Sequence, residues 1–196
     1  MTKDILDDVP SAEFPTMYGN FRIYAFKESS FEHLALVKGD PKGREDVPVR
    51  VHSQCLTGDT FASKRCDCGL QLENALLYIG GHDYGIFIYL DQEGRGIGLF
   101  NKIKAYELQD KGLDTVEANE ELGFECDLRS YDVVAKILGY FGVNSIKIMT
   151  NNPGKISGLE AAGVKISGRI PLTVAPNMHN QSYLNTKKEK MNHYFG

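Results

Sequence analysis

The stretch YGIFIYLDQEGRGIGL, residues 84–99, joins a continuous apolar run to a glycine-rich polar turn. The run YGIFIYL is typical of a strand that is buried on both faces of a sheet. The turn carries Glu93 and Arg95 among its glycines and leads into helical spacing from Gly98 to Gln109. Backbone amides in such a turn can approach an anion or a base. The stretch therefore predicts a central strand and a ligand site beside it, with a flexible turn as the alternative.

On both sides of this stretch the sequence alternates between short apolar runs and helical patterns. Strands are expected at FRIYAF (21–26), HLALVK (33–38), VPVRV (47–51), SIKIM (145–149) and 164–174. Helices are expected at 70–79, 98–109, 131–141 and 155–162. Pro48 confines its strand to a sheet edge or places it at a strand start. The pattern predicts an α+β fold with a mixed sheet: antiparallel N-terminal strands, then strand–helix alternation, with helices packed on the sheet.

The composition bounds the classes of function. The 196 residues include 22 Lys and Arg against 26 Asp and Glu, a net charge of −4 that argues against a nucleic-acid-coating protein. No run approaches the 18 or so apolar residues of a membrane span, and the acidic start of the chain is unlike a signal peptide. We expect one cytoplasmic domain over residues 1–196, with a solvated, mobile tail from about residue 185.

Three cysteines lie within 14 residues, in the pattern Cys55-x10-Cys66-x-Cys68. Thiolates at this spacing can share one tetrahedral zinc ion and leave its fourth position open. Cys126 or His52 could instead supply a fourth ligand and close the site. Small buried core cysteines are the other alternative, which the polar residues between the three thiols disfavour. The spacing therefore predicts a zinc site, either open or closed.

The turn TNNPGK (150–155) places a lysine at the start of a helix, where it can hold a phosphate. A Walker motif is absent, because Met149 and Ile156 replace its first glycine and its hydroxyl residue. A dinucleotide fingerprint is absent too, because Leu99 stands where its third glycine would be. Lys155 is thus a candidate phosphate ligand, with an ordinary surface lysine as the alternative.

Two further segments carry candidate side chains. The segment CDLR (126–129) precedes a helix, so Asp127 could be an N-cap and Arg129 a solvated charge. Tyr106 lies at helical spacing from Leu99 and Ile103, as a core aromatic residue with a hydrated hydroxyl would. Neither segment by itself defines a catalytic group.

Together, four stretches resemble the GTP cyclohydrolase II family in sequence and in order. They are RVHSQCLTGDTFASKRCDC (50–68), QEGRGIGLFNK (92–102), YELQDKGLDTVEAN (106–119) and TNNPGK (150–155). The resemblance runs from about Phe14 to Met191. It implies a monofunctional enzyme, since 196 residues leave no room for the dihydroxybutanone phosphate synthase domain of bifunctional relatives.

The resemblance implies hydrolysis of GTP to a diaminopyrimidinone ribosyl phosphate, formate and pyrophosphate, the first step of riboflavin biosynthesis. It implies a homodimer, one open catalytic zinc on Cys55, Cys66 and Cys68, and Mg²⁺ with the triphosphate. The catalytic residues would be Asp127 as proton acceptor, Arg129 as nucleophile toward the α-phosphate, and Tyr106. The GTP-binding residues would be Arg50, Val51, His52, Ser53, Gln54, Gln71, Glu93, Gly94, Arg95, Thr115, Thr150 and Lys155.

Two positions depart from the family pattern: Gln54 replaces a usual Glu, and Ser130 follows Arg129 where Asp is common. Because a guanidinium stays protonated near neutrality, Arg129 can equally act as a transition-state stabiliser. Asp59 and Glu93 are the candidate bases beside the metal. Two rival interpretations remain. One is an RNA-binding module with a structural zinc ion, which the excess of acidic residues disfavours. The other is a zinc deaminase, whose cysteine and histidine signature is absent from the sequence.

Overall fold

A computed structural model describes residues 5–124, 129–172, 174, 177, 178, 180 and 181. Its strands are β1 (Ser11–Thr16), β2 (Gly19–Glu28), β3 (Phe31–Lys38), β4 (Val47–Ser53), β5 (Gly85–Leu90), β6 (Ile146–Met149) and β7 (Ile166–Ile170). Its helices are α1 (Leu56–Asp59), α2 (Cys68–Gly80), α3 (Gly98–Asp110), α4 (Thr115–Glu121), α5 (Asp132–Tyr140) and α6 (Pro153–Ala161). A short 3₁₀ turn, Glu93–Gly96, follows β5. The tail from residue 185, where we expect mobility, lies outside the described residues.

The strands form one mixed sheet in the order β1-β2-β3-β5-β4-β6-β7. The pairs β1·β2, β2·β3 and β3·β5 are antiparallel, whereas β4·β5, β4·β6 and β6·β7 are parallel. The predicted α+β fold is therefore confirmed, including its antiparallel N-terminal part. Pro48 is the second residue of β4, which lies inside the sheet, so the strand-start alternative holds and the edge alternative is wrong.

Helices cover both faces of the sheet, since successive side chains of a strand point to opposite sides. On one face, α2 packs its buried residues Ala75, Leu76 and Ile79 against Phe21, Leu36 and Phe87. On the other face, α5 and α6 pack Val134, Ile137 and Leu159 against Val49, Val51, Ile86 and Ile88. This double coverage explains why β5 reads as a continuous apolar run. No helix in the described part of the chain is long and apolar enough to cross a bilayer.

Three elements were not predicted from the sequence: β1, α1 and α4. The side chains of β1 are mostly exposed, so its sequence lacks a hydrophobic alternation. The helix α4 has a local signal, because Asp114 and Glu117 form a reciprocal capping box at its start. The last strand is shorter than predicted, at Ile166–Ile170 instead of 164–174.

Replacement of Gly80 by alanine is expected to destabilise the fold by about 1–3 kcal/mol. Gly80 ends α2, and a Cβ at this position would overlap the backbone carbonyl of Tyr18. The matched control is Gly139→Ala in α5, where a Cβ would meet nothing within 4 Å and alanine favours a helix by up to about 1 kcal/mol. Urea denaturation measures both variants, and equal stabilities would contradict the close packing of α2 on the β1–β2 turn.

Candidate active site and metal centre

The candidate site is an open cleft of about 1150 Å³ at the carboxyl ends of the parallel strands β4, β5 and β6. From β4 the chain continues to β5, which lies on one side of β4 in the sheet. It then crosses to β6, which lies on the other side of β4. Ligands of open α/β sheets bind where the direction of winding reverses in this way. The segments that follow these three strands are 54–68, 91–97 and 150–155, which are the segments singled out in the sequence.

The three cysteine sulfurs lie at the floor of this cleft, all within 4.8 Å of one another. Cys55 follows β4, and Cys68 begins α2. The Sγ atoms of Cys55 and Cys66 are 3.8 Å apart, the separation of about 3.8 Å that a tetrahedral ion with bonds of about 2.3 Å requires. Gly58 leaves room for them, because a Cβ there would lie 2.8 Å from the Cys66 sulfur. The residues present therefore fit a zinc ion.

The alternative of His52 as a fourth ligand is wrong. Its Nε2 lies 3.0 Å from an oxygen of Asp59 and its Nδ1 lies 3.4 Å from a guanidinium nitrogen of Arg50. Because Arg50 can only donate and Asp59 only accepts, His52 is the neutral tautomer with its proton on Nε2. Burial lowers the pKa of His52 and keeps it neutral. Cys126, the other alternative, lies outside the described residues.

The three thiols of the cluster differ in their pKa values. Hydrogen bonds from the Cys66 and Cys68 thiols lower the pKa of Cys55 well below its usual range, with Lys102 adding to the effect. The same interaction raises the pKa of Cys66 to about 11 and that of Cys68 well above its usual value. The cluster at neutral pH thus contains one thiolate and two thiols.

Asp59 and Glu93, the candidate bases, both support the Cys55 turn. Asp59 accepts hydrogen bonds from His52, from the Cys55 amide at 3.0 Å and from the Tyr89 hydroxyl at 2.8 Å. Glu93 accepts from the Leu56 amide at 2.7 Å and from the Lys102 ammonium at 2.8 Å. Because these donors already occupy the oxygens of both carboxylates, the geometry favours a structural role for both.

Arg50 lies almost fully buried on β4 beside the cluster. Its guanidinium donates to the Met149 carbonyl at 2.8 Å and to the Gln71 side chain at 2.7 Å. Gln71 in turn donates to Asp67, which lies between Cys66 and Cys68. Burial lowers the pKa of Arg50 to about 10, which leaves it protonated at neutral pH. The cleft therefore has a fixed positive charge at its floor.

Further positive charge comes from the side of the cleft opposite the turn of Glu93. Lys155 is buried, with its Nζ 2.6 Å from the Val51 carbonyl, and Asn152 caps the N-terminus of α6 just before it. Arg129 lines the cleft close enough to Arg50 to lower its pKa further. Two guanidinium groups, an ammonium and a helix N-terminus together form a site for an anion.

Tyr106 lies on α3 and lines the same cleft. Its hydroxyl is 3.4 Å from the Thr57 hydroxyl, which is 3.7 Å from the Cys55 sulfur. Burial raises the pKa of Tyr106, so the phenol is protonated at neutral pH. The phenol can therefore donate a proton or a hydrogen bond near the metal centre, which the helical spacing alone did not show.

The structure brings together nearly all of the residues singled out in the sequence. The cleft is lined by Arg50, His52, Ser53, Gln54, Cys55, Cys66, Cys68, Gln71, Glu93, Gly94, Arg95, Tyr106, Thr115, Arg129, Thr150 and Lys155. Val51 is not among them, because its side chain packs in the core. Asp127 lies outside the described residues. Residues that the sequence analysis did not assign also line the cleft: Arg65, Ile97, Lys102, Ala105, Gln109, Asn119, Asn151 and Asn152.

One cleft of the mixed sheet thus combines a three-cysteine cluster that could hold a metal ion with a cationic wall, formed by Arg50, Arg129 and Lys155, as in an enzyme active site. The family model described as GTP cyclohydrolase II matches residues 7–171. The chain belongs to this family, as its motifs predicted.

Curated relatives agree with the family match. The chain is 52% identical to GTP cyclohydrolase-2 of Picrophilus torridus over 94% of this chain and 96% of that protein. It is 49% identical to GTP cyclohydrolase-2 of Shewanella amazonensis, over 94% and 91%. It is 53% identical to the riboflavin biosynthesis protein RibBA of Endomicrobium trichonymphae, over 98% and 48%. The chain thus spans about half the length of the RibBA relatives that it matches.

Binding of Zn²⁺ at pH 7 is expected to release about two protons, since Cys66 and Cys68 must lose theirs to become ligands. Metal affinity should therefore fall as the pH falls. Titration calorimetry in buffers with different ionisation enthalpies counts the protons. A Cys66→Ser variant is the control and should release fewer. Release of no protons would contradict a cluster with two protonated thiols.

Proposed function

We propose that this chain is a zinc-dependent GTP cyclohydrolase II that converts GTP to a diaminopyrimidinone ribosyl phosphate, formate and pyrophosphate, the first step of riboflavin biosynthesis. The observation that carries the proposal is that one cleft contains both a three-cysteine cluster and a cationic wall. A substrate with a triphosphate at one end and a reactive base at the other uses both. Family membership and relatives of similar length support the same activity.

The cationic wall is suited to the triphosphate. Arg50 and Lys155 are buried cations whose positions are fixed by backbone carbonyls of neighbouring strands. Charges fixed before the substrate arrives cost no reorganisation during the reaction. We propose that Mg²⁺ accompanies the phosphates and neutralises part of their charge, as is usual for nucleoside triphosphates. Arg50, Lys155 and Thr150 then bind the phosphate groups.

Arg129 is proposed to act where pyrophosphate leaves. Its position in the cleft next to Arg50 supports this role. A guanidinium can stabilise the negative charge that develops on the phosphate, whereas attack by its nitrogen requires a base to remove a proton. Asp127, two residues away in sequence, is the proposed acceptor of that proton or of one from water. Both forms of catalysis place Arg129 at the α-phosphate.

The cysteine cluster is proposed to act on the base. When bound there, zinc supplies a Lewis acid that activates water for opening of the imidazole ring and release of formate. Tyr106 is a protonated phenol on the wall next to the cluster. It is therefore proposed as the donor to the imidazole nitrogen as the ring opens. The remaining predicted residues that line the cleft are proposed to orient the nucleotide.

Incubation with GTP, Mg²⁺ and Zn²⁺ is expected to yield formate and pyrophosphate together. Folded Cys66→Ser should release pyrophosphate slowly and no formate, because metal binding and phosphate binding use different residues. Arg129→Ala should lower both products by about 10²-fold or more, whereas exposed Arg22→Ala on β2 should leave both unchanged. Enzymatic assays of the two products measure this.

Circular dichroism serves as the folding control, since the metal can also support the fold. Release of formate by folded, zinc-free Cys66→Ser would show that the cluster is structural. No product of either kind from the wild type would contradict the proposed activity.

We further propose a homodimer in the cytoplasm. Exposed apolar side chains cluster on α3: Leu99, Ile103 and Phe100, the last with 74% of its surface exposed. An apolar helix face of this kind is typical of a surface that a second copy covers.

The proposed location in the cytoplasm rests on the cysteines. Three free thiols at a metal site require a reducing compartment.

The variant Phe100→Asp is expected to shift the protein from dimer to monomer at micromolar concentration, because a buried unpaired carboxylate is costly. The matched control is Leu77→Asp, an exposed apolar residue of α2 that should leave the dimer intact. Light scattering after size-exclusion chromatography measures the mass. A Phe100→Asp dimer, or a monomeric wild type, would refute this surface as the dimer contact.

A further inference from the structure

Lys102 is a buried lysine that faces the cysteine cluster from α3. Its Nζ lies 3.1 Å from the Cys55 sulfur and 2.8 Å from an oxygen of Glu93. Only 11% of its side chain is exposed. Lysine is almost never buried without a partner, and here both partners are anions when Cys55 is a thiolate. The contact between Lys102 and Cys55 is therefore a specific part of the cluster.

The two partners of Lys102 belong to different segments of the site. Glu93 lies in the turn after β5, and its second oxygen accepts from the amide of Leu56. Leu56 directly follows Cys55. The Lys102–Glu93 pair therefore binds Cys55 twice, at its sulfur and at the peptide that follows it. Two segments that are far apart in sequence, 55–56 and 93–102, thus meet at one ligand atom.

Charge explains why a cation is needed at this point. Without it, the Cys55 thiolate and the Glu93 carboxylate, both buried, would be two like charges close together with little water to screen them. A cation between them removes this repulsion. The hydrogen bond to sulfur also withdraws electron density, so that the ligand donates less charge to the metal.

We propose that Lys102 is a positioning residue that orients the Cys55 ligand and tunes its electron donation to the metal. This inference rests on the proposed metal centre. It predicts a property of the bound metal itself, independent of GTP turnover. The resemblance assigned roles to residues on both sides of Lys102 but none to Lys102.

Co²⁺ is the probe, because its sulfur-to-metal charge-transfer band reports the donor strength of the thiolates. In Lys102→Met the band is expected to move to longer wavelength, since sulfur loses the cation that stabilises its lone pairs. The affinity for Co²⁺ should fall by roughly 10- to 100-fold, as for other partners of metal ligands. Lys102→Arg retains a cation and should recover part of both effects.

Lys104→Met is the matched control. It removes the same charge from an exposed position of the same helix and should leave the band and the affinity unchanged. Glu93→Gln tests the network from the other side: it removes the negative charge that competes with sulfur for Lys102, and the band should move to shorter wavelength. This opposite shift keeps the inference testable even where Lys102→Met does not fold.

The inference and the proposed function fail in different ways. If wild-type protein shows no thiolate charge-transfer band with Co²⁺, the metal centre itself is wrong. If the wild type shows the band, and Lys102→Met matches it in wavelength and binds Co²⁺ within 2-fold, then Lys102 does not act on Cys55. If Lys102→Met does not fold, a Glu93→Gln band at the wild-type wavelength overturns the inference equally.

Discussion

The parallel pairing of β4 with β5 on one side and β6 on the other is the constraint on which the site depends. Parallel strands end at the same edge of a sheet, so the segments after these three strands must converge there. Helices on both faces bury β4 almost completely, and its backbone is fixed by two rows of hydrogen bonds. A slip of one residue would exchange Arg50 and His52 with the core valines. The hydrophobic pattern of one strand thus sets the positions of Arg50 and His52 beside the cleft.

A belt of buried and partly buried polar side chains connects the two segments that carry the cysteines across this strand. It runs from Asp67 through Gln71 and Arg50 to His52 and Asp59, and ends at the amide of Cys55. Buried polar groups cost free energy unless they are hydrogen-bonded. Each side chain of the belt keeps its hydrogen bonds only while its neighbours stay in place. The belt therefore fixes the geometry of the cleft. Arg50 and the two segments that carry the cysteines are therefore held by one network.

The cleft balances charges of opposite sign at short range. The thiol cluster and Glu93 line it, and the cations Arg50, Lys102 and Lys155 line it with them. Lysine and arginine serve different purposes here: Arg50 connects several acceptors with its planar fork, whereas the ammonium groups act at single points. A mildly acidic protein can thus present cationic side chains within one cleft.

The sequence by itself determined the local elements and the chemical inventory. Apolar runs and helical spacing identified β2 to β7 and four helices, because these patterns depend on neighbouring residues alone. The spacing of Cys55, Cys66 and Cys68 identified the metal site for the same reason. Only the tertiary structure decided that β5 lies between β3 and β4, and that Arg50 meets Met149 and Lys155 meets Val51, partners 99 and 104 residues away. Such contacts depend on strand order and register, which no local pattern encodes. The sequence did not reveal the role of Lys102 for the same reason. In the sequence it is an ordinary helix lysine, and only the packing of α3 brings it to Cys55.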